Sequence, residues 1–88
     1  MFGGDNDVVS LSVPEDKVGI IFDRFGKDIS IKPEKNHRYV MRVHVCVSSQ
    51  FYGWLTGLGS DIYITGPEQI KNEYVSYIEN IIKSYKEK

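Results

Sequence analysis

Apolar residues along this chain follow two rhythms, one of period near four and one of period two, and the rhythms repeat. From Phe51 to Ile64 the text reads FYGWLTGLGSDIYI. Phe51, Trp54, Leu55 and Leu58 recur at the spacing of one helical face, Gly59 stands where a left-handed C-cap is wanted, and Ile62 and Ile64 alternate as in a half-buried strand. The same helix, stop and strand occur 33 residues earlier: Val18, Ile21, Phe22 and Phe25 take the helical face, Gly26 the stop, Asp28 the place of Asp61, and Ile29 and Ile31 the strand. The entering strands match at an offset of 34, with Val9, Leu11 and Val13 against Val43, Val45 and Val47, so the two strand-to-helix loops differ by one residue. The pattern predicts two copies of a strand-helix-strand unit followed by one more helix.

Local signals place the boundaries. Residues 8–13 form a first strand with Val9, Leu11 and Val13 on one face and Val8, Ser10 and Ser12 on the other. Pro14 starts the first helix, where its missing N–H costs nothing, and Glu15 and Asp16 put negative charge on the positive end of the helix dipole. That helix runs to about Phe25, a second strand covers 28–32, and the polar stretch 33–38 suits a hairpin turn. The longest strand is expected over 39–47, with Tyr39, Met41, Val43, Val45 and Val47 toward the core and Val40, Arg42, His44 and Cys46 on the opposite face. Ser48 or Ser49 caps the second helix, 61–65 is the fourth strand, and Pro67 opens a third helix at its first position. There Ile70, Tyr74, Tyr77, Ile78, Ile81 and Tyr85 make one broad apolar stripe, with Lys71, Glu79 and Lys83 left to water.

Right-handed crossovers and the need to cover an apolar sheet face leave few arrangements for such a doubled unit. The expected class is α+β, a ferredoxin-like βαββαβ sandwich of four antiparallel strands with two helices on one side and an additional C-terminal helix. Phe22, Phe51, Trp54, Leu55, Leu58 and Ile78 are expected in its core. The stripe on the third helix is too apolar to face water, so this helix packs on the domain's edge, covers the open sheet face, or meets a second chain.

Composition narrows the function classes. Eighty-eight residues allow one domain, and a 41% hydrophobic, 26% charged balance is that of a globular chain. A net charge of −1 without a basic block lacks the electrostatic footprint that nucleic-acid backbones require. The single cysteine, Cys46, excludes an internal disulfide and fits a reducing cytoplasm. With no long apolar run and no signal-peptide pattern at the start, the chain reads as cytoplasmic and not membrane-associated. Met1 and Phe2 before Gly-Gly-Asp-Asn-Asp read as the start of a segment cut from a longer protein, with residues 1–7 as a linker and 8–88 as the domain proper.

No constellation for catalysis or cofactor binding emerges. His37 lies in a charged turn and His44 on a strand face, without metal-ligand spacing. Cys46 shares a face with His44, but no acidic third group follows, and a small residue filling a strand position accounts for it better. Ser10, Ser12, Arg42, His44 and Cys46 stand where an RNA-binding sheet of this kind would present aromatics. The segment after the first strand, Val13-Pro-Glu-Asp-Lys17, has neither the glycines of a phosphate cradle nor the cysteines of a copper loop. Six tyrosines fit edge-of-core packing first and contact surfaces second. The expectation is a non-enzyme without metal or cofactor.

The wording itself adds more. VSLSV, FDRFG, VHVCVS and then FYGWLTGLGSDIYITGPEQIKNEYVSYIENIIKSY resemble the C-terminal extension (WCX) domain that follows the WYL domain in bacterial transcriptional regulators, over nearly all of residues 8–85. Trp54-Leu55, Leu58-Gly59, Ile62, Pro67 and the run from Ile70 to Tyr85 carry the resemblance most specifically. It implies a ferredoxin-like extension associated with dimerisation and signal relay in a parent with an upstream helix-turn-helix and a ligand-sensing WYL domain. DNA would then be contacted only through the helix-turn-helix, which lies outside these residues. The preferred reading is a non-catalytic regulatory and dimerisation module, homodimeric through its parent, with Val75, Tyr77 and Ile82 as first candidates for the interface. The alternative is a free-standing small-molecule-binding domain using the open sheet face around Arg42, His44 and Tyr63.

Overall fold

The computed structural model describes residues 6–26 and 29–87. Strand β1 (Asn6–Pro14) leads through a 3-10 turn (Glu15–Lys17) into helix α1 (Val18–Phe25). Strands β2 (Ser30–Glu34) and β3 (Arg38–Cys46) form a hairpin, and α2 (Ser49–Gly57), β4 (Tyr63–Gly66) and α3 (Glu68–Lys86) complete the chain. The sheet order is β2-β3-β1-β4, with every neighbouring pair antiparallel. Each strand-helix-strand unit therefore contributes one long central strand and one short edge strand. Strands β1 and β2 run the same way on either side of β3, and β3 and β4 on either side of β1, so each link needs a crossover, which α1 and α2 provide. The repeat in the sequence is the repeat in the architecture.

Alternation decides which face of the sheet is dry. Val9, Leu11, Val13, Met41 and Val43 are buried, with Ile21 of α1, Phe51 and Leu55 of α2, and Ile62 and Ile64 around β4. Full burial of one such side chain contributes about 1.5–3 kcal/mol, so this cluster supplies the main driving force. Val18, Phe22, Phe25, Trp54 and Leu58 are half-buried against it. Phe22, Trp54 and Leu58, expected in the core, thus occupy its margin, Ile78 is half-buried on α3, and Phe51 and Leu55 are interior.

Boundaries differ from the pattern where backbone chemistry outweighs periodicity. Pro14 ends β1 in an extended conformation (φ −68°, ψ 153°), and the α-helix begins only at Val18. A proline's φ suits a strand's last residue as well as a helix's first, so its position alone does not choose. β1 starts at Asn6, within the stretch expected to be linker; residues 1–5 of that linker, and Asp28, lie outside the described residues. β2 is shifted two residues later than expected and the turn shrinks to Lys35–His37, with Asn36 and His37 both at positive φ (62° and 59°). Ser48 is the α2 cap: its Oγ accepts from the Phe51 N–H at 3.3 Å. α2 ends at Gly57, and Gly59 follows with φ +89°, its N–H donating to the Thr56 carbonyl. Gly26 closes α1 at φ +86°. Both are backbone states that a Cβ disfavours.

Within the chain, α3 packs on the domain's edge and does not cover the open sheet face. It lies against β4 and the flank of α2, with Ile70 buried and the rings of Tyr74 and Tyr77 each 5.4 Å from the Tyr52 ring. A Cβ on Gly53 of α2 would stand an ordinary 3.6 Å from the Tyr77 hydroxyl, so this approach does not depend on the glycine. The C-terminal half of α3 is exposed, as are Val75 and Ile82 on its outer side.

Candidate functional site

Burying Val9, Leu11 and Val13 turns Val8, Ser10 and Ser12 to the opposite side of the sheet, and pairing extends that face across all four strands. One cross-strand row is Ser30, Arg42, Ser10 and Gly66; the next is Lys32, Val40, Ser12 and Tyr63. Val8 pairs with His44 beyond the first row. Arg42, His44 and Tyr63 therefore share one face, as expected, but Tyr63 is two strands and one row removed from Arg42.

Tyr63 is engaged with a different arginine. The Arg38 guanidinium lies 4.9 Å from its ring centroid, donates from Nε to Ser12 Oγ at 2.9 Å, and donates to the carbonyls of Ser12 and Asp61. Ser12 Oγ in turn donates to Glu34 Oε1 at 3.2 Å, which explains how a serine can be only 2% exposed on this face. Asp61 also receives Lys17 Nζ at 2.8 Å. That hydrogen bond holds the Asp61 carboxyl below the usual carboxylate range and the Lys17 ammonium above its ordinary value. Arg38 thus joins β1, β3, β4 and the loop before β4. Sequence reasoning placed it in a polar turn, because nothing local reveals a partner 26 residues away in Ser12.

Three grooves lie where the helices meet their neighbours. A groove of about 850 Å³ runs between the start of α2 and α3, lined by Ser49, Tyr52, Asn72, Glu73, Ser76 and Tyr77. Within it the hydroxyl of the largely buried Tyr52 donates to Glu73 Oε1 at 3.1 Å; burial first, and then this acceptor, push the phenol up to about 12. A groove of about 340 Å³ includes Arg24, Phe25, Cys46 and Phe51, and one of about 360 Å³ includes Ile62, Tyr63, Tyr74 and Ile78. The Tyr52–Glu73 pair was not legible in the sequence, since helical stripes assign residues to faces without pairing faces.

His37 sits at the hairpin tip, its Nδ1 3.6 Å from a Glu15 carboxylate oxygen with both side chains exposed, whereas His44 lies on the open sheet face. Among the described residues no three His, Cys, Asp or Glu side chains gather as metal ligands would. Nor is any described helix long and apolar enough to cross a membrane. Val75 and Ile82 are 46% and 47% exposed, while Tyr77, grouped with them from sequence, turns inward against Tyr52 and Tyr74.

Comparison with curated proteins gives no match. Comparison with protein families does: the model described as WCX domain matches residues 6–82, from the first residue of β1 to the outer face of α3.

Proposed function

The chain belongs to the WCX domain family, and from that premise we propose that it is the non-catalytic regulatory and dimerisation domain of a WYL-type bacterial transcriptional regulator. Family membership is the observation that carries this reading. In it, the domain relays effector sensing from an upstream WYL domain to a helix-turn-helix in the same cytoplasmic parent, and DNA is contacted by that upstream domain alone. The β2-β3-β1-β4 order with two crossover helices supports a ferredoxin-like βαββαβ sandwich with one helix added. Assembly through α3 is supported by Val75, Ile82 and Tyr85, which leave 46%, 47% and 79% of their surface to water along one side of a single helix.

Sedimentation of the 88-residue chain across a concentration range tests this reading, with Val75→Lys plus Ile82→Lys as the comparison. A wild-type dimer that the double change converts to a folded monomer is the expected result. A wild type that stays monomeric, or a dimer indifferent to both lysines, would remove α3 as the assembly surface. Upstream helix-turn-helix and WYL segments in the parent reading frame are the second expectation. The small-molecule reading is weaker, because Arg42 and His44 stand exposed on a sheet face, whereas small ligands are held in concave sites.

A further inference from the structure

We propose that the open face of the sheet docks an acidic segment of another polypeptide, with Arg42 as the group that takes its carboxylates. The proposal is independent of the WYL reading, since it rests on the cross-strand rows alone.

Arg42 is on a central strand, yet its in-register neighbours are Ser30 on one side and Ser10 on the other, with Gly66 beyond. Three very small residues leave Arg42 exposed, with no side chain in its row large enough to cover it. Arg38, four residues earlier on the same strand, shows the contrast: its fork is filled by Ser12, the Asp61 carbonyl and the Tyr63 ring. Among the described residues Arg42 has no such partner. Glu34, the carboxylate the strands bring to this face, is opposite Arg38 and accepts from Ser12.

An arginine with its fork unfilled matches a carboxylate bidentately, and Lys32, diagonal to it on β2, adds a second cation. The chain's net charge is −1, so this positive character is local to the face and not a by-product of overall basicity. Exposed Val8 and Tyr63 supply apolar contact on either side. The occupant's class follows from shape and composition. A small anion needs a concavity that an open sheet face does not provide. A single strand of nucleic acid needs aromatic platforms on the central strands, where Ser10, Ser12, Arg42 and His44 stand. A polypeptide carrying glutamates or aspartates beside apolar residues needs neither.

The test is titration of the isotopically labelled 88-residue chain with a soluble peptide that interleaves glutamate and leucine, followed by amide chemical shifts. The expected result is a perturbed set confined to the sheet, including Ser10, Ser30, Lys32, Arg42 and His44. Binding should weaken about tenfold or more in Arg42→Ala plus Lys32→Ala, whose dispersed spectrum would show the fold intact, and stay unchanged in Lys83→Ala on α3. Absence of perturbation, shifts spread over the lysines of α3, or equal binding by the double variant would overturn the proposal. So would citrate or a single-stranded oligonucleotide perturbing the same residues with equal affinity, because the face would then be reading free anions or phosphates.

Discussion

The Tyr52 side chain is largely buried and its hydroxyl is bound to Glu73, and this fixes how one side chain answers to pH. Its folded value, about 12, lies above the ordinary 10.0, so as pH rises the unfolded chain ionises first. The stability this phenol contributes is therefore intact below about pH 10 and lost between there and about pH 12. At neutral pH Tyr52→Phe should cost about 1 kcal/mol, the net worth of one such hydrogen bond. Urea unfolding of both proteins from pH 9 upward should show that gap closing; a constant gap would mean that Tyr52 is not kept protonated by the fold. Tyr52 also marks the limit of residue-level reading. Phe51, Leu55 and the glycine stops at Gly26 and Gly59 were legible because their demand is local: an apolar face, or a φ that only glycine takes without strain. Which carboxylate meets a tyrosine 21 residues away is set by how helices dock, and no spacing rule encodes that.

At the scale of elements, both repeats, the hairpin and all three helices were readable from periodicity, and the errors fell at their ends. β2 slid by two residues because Pro33 and Glu34, expected in the turn, pair with Tyr39 and Arg38. A proline on an edge strand is tolerated, so its presence is poor evidence of a turn. The α2–α3 contact offers a sharper test. Gly53 lies inside α2, where glycine costs about 0.5–1 kcal/mol relative to alanine, and a Cβ would meet Tyr77 Oη at an ordinary 3.6 Å. Gly53→Ala should accordingly raise the thermal midpoint. A fall would show that α3 presses on α2 more closely than that distance allows.

For the whole molecule, the doubled strand-helix-strand unit predicts two interior strands and two at the margins, and the order β2-β3-β1-β4 follows from closing both units with crossovers. What the doubling leaves unsaid is how the two units are locked. Arg38 from the second unit reaches Ser12 in the first, then Asp61 and Tyr63 at the far margin. Arg38→Ala should cost about 1–3 kcal/mol, through lost hydrogen bonds and ring contact. Arg38→Lys should recover little of it, because a lysine cannot donate in several fixed directions at once. Equal thermal midpoints for Arg38→Lys and wild type would show that charge alone does the locking.

The marginal strand β2 has a further consequence. A residue in an antiparallel pair either exchanges its backbone bonds with its partner or aims them outward. Pro33, opposite Tyr39, has no N–H to exchange, so its outward side offers a carbonyl without a donor. Charged Lys32 and Glu34 flank that gap. An incoming strand would meet an interrupted ladder, which guards this flank against runaway polymerisation into fibres.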